Sequence, residues 1–196
     1  MIRILPVLLG LAAAGCTAGK NFEPPSFESV VLNQTTRQEI LDRFGTPYKE
    51  GSAIQNGATL KKYTYAFASS HGSGHNGSST IPARGMVFTF HEDRVVSYVF
   101  MSSFEADHTE FDETKVPEIR KGETTRDGVI ALLGPPKGKC VFPMIDGKQD
   151  EGTSYVYHQT KRKFMGGIHI YMQELTVSFG PDGRVSDVKF TSSGEK

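Results

Sequence analysis

The sequence predicts an α+β protein made of two tandem units, each a short helix (or helix pair) followed by a three-stranded antiparallel meander. Three observations predict this fold class: an internal repeat, a helix signature at the start of each copy, and alternation of apolar and polar residues in the segments that follow. A hydrophobic content of 37% with 21 glycines is typical of a β-rich globular chain and excludes a disordered one.

Three blocks of sequence occur twice, in the same order. The matching pairs are residues 35–47 with 124–136, 62–65 with 154–157, and 90–103 with 179–193. From this repeat we infer the domain organisation. The predicted segments are a signal peptide (1–15), an N-terminal tether (16–26), a first unit (27–104), an acidic linker (105–115) and a second unit (116–193).

Each unit begins with a helix whose start and stop residues can be recognised. In the first unit Thr35 or Thr36 can cap the helix, and Glu39 completes a capping box with Thr36. Gly45 stands where a helix ends through a left-handed residue, and Pro47 prevents the helix from continuing. The equivalent helix-entry and helix-end residues of the second unit are Gly122, Thr124, Gly134 and Pro136.

Three segments with strand-like alternation follow each helix. In the first unit they are Tyr63–Phe67, Met86–Phe90 and Val96–Phe100, and in the second unit Tyr155–Tyr157, Leu175–Phe179 and Ser186–Phe190. Short turns at His91–Asp93 and Gly180–Gly183 join the last two segments of each unit, so we expect antiparallel meanders.

The two units differ on the face of the sheet that lies away from the predicted helices. The first unit carries Val87, Val95, Val99 and Met101 there, where the second has Thr176, Val185, Lys189 and Thr191. A sheet with one solvated face should alternate apolar and polar residues, which the first unit does not do. We therefore expect these four apolar residues to be covered by the second unit, by the N-terminal segment around Phe22 and Phe27, or by a partner protein.

The N-terminus is built like a bacterial secretion signal. Arg3 supplies one positive charge, Ile4–Leu11 is apolar, and the small residues Ala13–Gly15 run directly into Cys16. This run resembles the lipobox of bacterial lipoproteins, in which the cysteine is acylated, with palmitate for example, and becomes the first residue. A plain secretory signal is the alternative. Because a transmembrane helix needs about 20 apolar residues, we expect a lipid anchor at Cys16 and no membrane-spanning helix.

The motifs of the second unit resemble those of a known family. They are Gly122–Thr124 before the helix, Leu133–Pro136 after it, the Tyr155–Tyr157 strand and the Phe179–Val185 hairpin. This pattern is similar to that of the SmpA/OmlA (BamE-like) outer-membrane lipoproteins, and the first unit departs from it by carrying Asn33 in place of the first glycine. The resemblance implies a helix-plus-sheet fold and a role in the outer membrane. By resemblance to Gram-negative sorting signals, Thr17 rather than Asp after the acylated cysteine also favours the outer membrane, facing the periplasm.

A tandem pair of such units is similar to the architecture of the β-lactamase inhibitory proteins. Known members of that group are secreted and disulfide-bonded, whereas Cys16 and Cys140 are the only cysteines of this chain. Once Cys16 is acylated, Cys140 has no partner within the chain. We interpret Cys140 as a small buried hydrophobic residue, the alternative being a redox-active or intermolecular thiol.

Motifs that would indicate an enzyme or a cofactor site are weak in this sequence. His71 and His75 lie in a Gly/Ser-rich loop without a third ligand, so we expect no metal there. Glu105–His108 is interpreted as a solvated segment rather than a catalytic pair, and Lys161–Lys163 as a solvated hairpin end rather than a contact for anionic lipid. Balanced charge, with 22 basic and 22 acidic residues, does not favour a nucleic-acid partner.

These observations together favour a non-enzymatic, lipid-anchored binding or scaffold protein of the bacterial envelope, without a cofactor. It would be accessory to outer-membrane protein assembly or part of a larger envelope complex. The alternative is a proteinaceous inhibitor that docks its sheet on a periplasmic hydrolase.

Overall fold

Ten strands form one antiparallel sheet in the computed structural model, which describes residues 17–24, 26, 29–69, 78–163 and 167–195. The strands are β1 (Thr17–Gly19), β2 (Lys49–Gln55), β3 (Ala58–Ser69), β4 (Ser78–Ile81), β5 (Ala83–His91), β6 (Arg94–Ser102), β7 (Gly138–Val141), β8 (Glu151–Lys163), β9 (Gly167–Phe179) and β10 (Val185–Gly194). Their order is β1-β3-β5-β6-β7-β8-β9-β10, with β2 also paired to β3 and β4 to β8.

The predicted fold class was wrong. Helix makes up only 14% of the structure, in α1 (Arg37–Phe44), α2 (Arg126–Leu133) and a 3-10 helix (Glu113–Glu118), so the chain is a large sheet and not a pair of separate α+β units. Four of the ten strands were unforeseen: β1, β2, β4 and β7. Each helix is followed by β2 or β7 before the three predicted strands begin. β7 pairs with β6 over Ser97–Val99 and so merges the two halves into one sheet.

The helices begin and end where local sequence signals place them. Thr36 is the N-cap of α1 and forms the predicted capping box with Glu39. α2 is capped by Thr125, and its third position is Gly128, which has no side chain to complete a box. Gly45 and Gly134 close the two helices with φ angles of 73° and 80°, as the glycine signal predicts.

Both helices pack on the same face of the sheet. Residues that pair across strands point to the same side, and the pairs Tyr98–Lys139, Lys139–Thr153 and Thr153–Val177 connect the two ends of this face. Tyr98 lies in the core beneath α1 with Ile40, and Val177 lies in the core beneath α2. We call this side the helix face and the opposite side the open face.

The segment predicted to be an acidic linker contributes buried residues. Phe111 is 5% exposed and packs into the core beneath α2, and the Thr109 hydroxyl donates a hydrogen bond of 2.6 Å to the carbonyl oxygen of Val156. Within the described part of the chain, no helix is long and apolar enough to cross a membrane.

Candidate functional site

A groove lies on the open face of the first half of the sheet. The groove forms where β3 and β5 carry small residues, because alanine has only a methyl group and glycine has no side chain to fill the space above the sheet. Its cavity measures about 300 Å³, at the lower end of the volumes of small-molecule pockets, which are about 300–1,000 Å³. The groove is lined by Ala18, Gly19, Tyr48, Thr64, Ala66, Phe67, Ala68, Ala83, Arg84, Gly85, Val87, Met101 and His158.

Three of the four residues predicted to form a partner-binding face lie on the open face. Val87 and Met101 line the groove, and Val99 pairs directly with Val87 in the neighbouring strand. All three side chains are half-buried. The structure therefore brings them together at one site, as the broken alternation in the sequence predicts.

Val95 is the exception, and its placement on this face was wrong. The β5–β6 register shifts between Thr89 and Phe90, so that Thr89 pairs with Ser97 and Phe90 with Val95. Such a bulge inserts one residue into a strand and reverses the face of every side chain beyond it. Val95 is consequently fully buried in the core beneath α1.

One polar side chain of the groove stays uncharged at neutral pH. Burial lowers the pKa of the His158 imidazole below its ordinary value of 6.5, because the charged form would lose its hydration. His158 therefore contributes an uncharged ring where β8 closes the groove.

Arg84 forms the wall of the groove toward the helix face. Its guanidinium lies 3.3 Å from the Asp107 carboxylate, 4.6 Å from the centre of the Phe104 ring, and donates a hydrogen bond of 2.9 Å to the carbonyl oxygen of Phe22. The Phe22 ring turns away from the open face and contacts Phe100 edge-to-face in the core. Phe22 therefore does not cover the groove, and Phe27 lies outside the described residues.

The other end of the open face is covered by the segment that connects β7 and β8. Ile145 of this segment is 1% exposed, and it lies with Cys140 over Gly152, where a Cβ would come within 2.4 Å of the Cys140 sulfur. The Gln55 and Asn56 side chains at the β2–β3 turn hold the segment by donating hydrogen bonds to its backbone carbonyls, including 2.6 Å from Gln55 to Met144.

Cys140 is buried, as its apolar neighbourhood predicts. Only 2% of the residue is exposed, and burial raises the pKa of the thiol to about 11. The Ser154 hydroxyl donates a weak hydrogen bond of 3.9 Å to the sulfur. A thiol that is both inaccessible and protonated is a poor nucleophile, which argues against the alternative of a redox-active cysteine.

The predicted helix-entry and helix-end residues act in the fold and lie away from the groove. Thr35 and Thr124 each accept a hydrogen bond on the side-chain oxygen from a backbone N–H four residues earlier, at 2.9 and 2.8 Å. Gly122 has a φ angle of 76°, and Asn33 holds the equivalent place with a φ angle of 62°. Pro47 and Pro136 follow the helix-ending glycines and precede β2 and β7.

The weak motifs for other chemistry are only partly covered by the described residues. The described residues contain no group of three or more His, Cys, Asp or Glu that could hold a metal ion, and His71 and His75 lie outside them. Asp107 of the predicted solvated segment is engaged by Arg84, as described above. Cys16 and the signal peptide also lie outside the described residues.

A second apolar surface was not foreseen from the sequence. Ile168, Ile170 and Met172 are 61%, 53% and 38% exposed on the open face of β9. Their alternation with His169 and Tyr171 is a strand signal that could have identified them, because β9 begins eight residues before the segment assigned as a strand.

Comparisons with known proteins give little further guidance. No protein-family model matches the chain, and a search of curated proteins finds no match. The crystal structure of a Streptococcus mutans protein, provisionally described as a β-lactamase inhibitor protein, aligns with 85% of this chain and 93% of its own length, with a TM-score of 0.40 and 14% sequence identity. A similarity this low transfers neither a fold nor a function.

Proposed function

We propose that this chain is a lipid-anchored protein of the bacterial envelope that acts by binding a partner protein and catalyses no reaction. The groove on the open face carries the proposal. Its lining is mostly apolar, and the half-buried side chains of Val87 and Met101 form part of it. Apolar surface costs about 25 cal/mol per Å² when it faces water, so an open apolar depression commonly marks a contact site.

The position of the groove fits a membrane-attached protein. β1 begins at Thr17, directly after the lipobox cysteine, and its Ala18 and Gly19 line the groove. A lipid on Cys16 would hold this face close to the periplasmic surface of the outer membrane, where components of outer-membrane protein assembly or of a larger envelope complex are available. The SmpA/OmlA-like motifs support the same location.

The lipid attachment is tested on its own. Fatty-acid labelling and mass spectrometry of the mature N-terminus should show an acylated Cys16, and Cys16→Ser should release the protein from membranes while the fold persists. An unmodified N-terminus at any other residue would contradict the lipoprotein assignment.

Partner binding is tested by altering the groove without altering the core. The double variant Val99→Lys with Met101→Thr places at the groove the residues that the second unit has, Lys189 and Thr191. Cross-linking in envelope preparations should lose its specific adducts in this variant. The matched control, Ile168→Lys with Ile170→Thr, alters the exposed stripe on β9 and should keep them.

The same experiment separates the two candidate functions. Adducts with β-barrel assembly components support an assembly accessory, whereas an adduct with a single periplasmic hydrolase supports an inhibitor. Loss of adducts only in the β9 variant would move the contact surface away from the groove and contradict the proposal.

A further inference from the structure

The first strand of the mature chain forms one end of the groove. β1 pairs antiparallel with β3, matching Ala18 to Ala68 and Gly19 to Phe67. Gly19 has a φ angle of 83°, and a Cβ there would lie 2.1 Å from the carbonyl oxygen of Ala66. Only glycine allows this close approach, which holds β1 against the groove.

Only Thr17 stands between Cys16 and Ala18 in the sequence, and Ala18 lines the groove. Consecutive Cα atoms are about 3.8 Å apart, so two residues span no more than about 7.6 Å. An acyl chain attached to the Cys16 sulfur or amine would therefore be tethered within two residues of the groove.

The lining of the groove selects an uncharged, slender ligand. Ala66, Ala68, Ala83 and Gly85 form its floor and supply only methyl groups and backbone. The one permanent charge in the lining, on Arg84, is already engaged by Asp107 and by the Phe22 carbonyl oxygen. The remaining polar side chains of the lining are Tyr48, Thr64 and His158. A lining that is mostly apolar and shallow suits an unbranched hydrocarbon.

We propose that the groove binds one acyl chain of the lipid that the protein itself carries on Cys16. It does so whenever that acyl chain is outside a bilayer. This inference rests on the lipid attachment in the proposed function and deepens it. Tethering raises the effective concentration of the acyl chain at the groove into the millimolar range, so a shallow site is sufficient. Because Val87 and Met101 line the same cavity, the acyl chain and the partner exclude each other, and partner binding requires the lipid to be in the membrane.

The test attaches alkyl chains of defined length to the mature chain, which begins at Cys16. N-ethyl, N-octyl and N-dodecyl maleimide will label Cys16 selectively, because the Cys140 thiol is buried. The midpoint of urea unfolding should rise from the ethyl to the octyl adduct and level off once the groove is filled. No dependence of the midpoint on alkyl length would overturn the inference.

Two variants separate binding in the groove from non-specific adhesion. Ala66→Phe fills the cavity and should abolish the rise, whereas Thr176→Phe adds the same ring to the same face outside the groove and should retain it. An equal rise in both variants would contradict the site. If Ala66→Phe does not fold, three results still test the inference. They are the dependence of the midpoint on alkyl length, the rise retained in Thr176→Phe, and the displacement of a fluorescent naphthylamine probe from the groove by the tethered alkyl chain.

Two further experiments identify the source of the acyl chain and separate failure of this inference from failure of the proposed lipid anchor. Free dodecanoate added to the ethyl adduct should reproduce the rise only at millimolar concentrations, and an equal effect at micromolar concentrations would indicate a site for soluble fatty acids instead. An unmodified Cys16 in protein extracted from the envelope would overturn the proposed anchor and, with it, the acyl chain as natural occupant. A missing length effect with an acylated Cys16 overturns this inference alone.

Discussion

Tyr65 and Tyr155 make the same hydrogen bond in the two halves of the molecule. Each phenol donates to the carbonyl oxygen of the glycine that ends the preceding helix, Gly45 or Gly134, and both distances are 3.0 Å. Each tyrosine thereby connects the helix end to the second strand of its unit. The two halves are therefore equivalent not only in their local helix signals but also in a contact between residues 20 or 21 positions apart in the sequence.

Replacing either tyrosine with phenylalanine should therefore have the same effect. Each variant loses one hydrogen bond and leaves a carbonyl oxygen poorly satisfied, for a loss of about 0.5–1.5 kcal/mol in the free energy of unfolding. Urea unfolding of Tyr65→Phe and Tyr155→Phe measures both losses. A loss at only one of the two positions would show that the helices are held to the sheet in different ways.

This equivalence also shows the limits of aligning the two halves by sequence. The blocks 62–65 and 154–157 match Tyr65 to Tyr157, but the structure places Tyr65 opposite Met86 and Tyr155 opposite Leu175, which are equivalent positions. Tyrosines two residues apart point to the same face of a strand, so either alignment satisfies the pattern. Only the pairing of the strands decides between them.

Local sequence signals predicted the helices, whereas the pairing of strands that are distant in sequence could not be predicted. The capping box at Thr36 and the glycine at Gly45 depend on neighbouring residues and could be identified. β2 and β7 could not, because Lys49–Gln55 shows little apolar alternation and Gly138–Val141 is only four residues long. Their strand character depends on partners that lie elsewhere in the chain.

The candidate site was predictable in part for the same reason. Apolar side chains such as Val87 and Met101 are visible in the sequence, whereas a bulge that moves Val95 into the core is not. The groove itself is made by side chains that are small, at positions such as Ala66 and Gly85. In a sequence, small residues indicate only weak strand propensity. The cavity that they form could therefore not be predicted.

The helix-ending glycines provide a second matched pair of variants. Gly45 and Gly134 combine a positive φ with ψ angles of −157° and −177°, a region that only glycine occupies comfortably. No atom would contact a Cβ at either place, so the cost of a side chain comes from the backbone. Valine should cost about 1–3 kcal/mol at each position, and alanine less.

Gly51 in β2 is the control for these glycine variants. It has open space around it and lacks a positive φ, so Gly51→Val should leave the free energy of unfolding unchanged or raise it. A neutral valine at Gly45 or Gly134 in urea unfolding would contradict the role of these residues in ending the helices.

The capping box should make the stability of α1 depend on pH. A hydrogen bond of 2.7 Å from the Thr36 backbone N–H, and a second one from its hydroxyl, lower the pKa of the Glu39 carboxyl below its ordinary value of 4.5. A lowered pKa in the folded state contributes stability that is present above pH 4.5 and is lost as the pH falls through the folded value.

The difference in unfolding free energy between the wild type and Glu39→Gln should accordingly shrink as the pH falls below 4.5. Glu92→Gln, which removes an exposed carboxylate from the turn between β5 and β6, serves as the control. Chemical unfolding at a series of pH values makes the comparison. A constant difference between wild type and Glu39→Gln across that range would show that the charge of Glu39 has no part in the cap.

The covered end of the open face predicts a steric coupling between Gly152 and Cys140. A Cβ on Gly152 would lie 2.4 Å from the Cys140 sulfur and 3.4 Å from Cγ2 of Ile145, so Gly152→Ala overfills this site. Overpacking of a buried site costs about 1–3 kcal/mol. Cys140→Ala alone leaves a small void and should also destabilise the protein.

In the double variant, the methyl group that Gly152→Ala introduces would occupy the space that the sulfur leaves. We expect the double variant to be less destabilised than the sum of the single variants, with a coupling of about 0.5–3 kcal/mol. Urea unfolding of the four proteins of this cycle measures the coupling, and Gly51→Ala combined with Cys140→Ala, at separate sites, should show additive effects. Strict additivity for Gly152 and Cys140 would mean that the β7–β8 segment does not close tightly over these two residues.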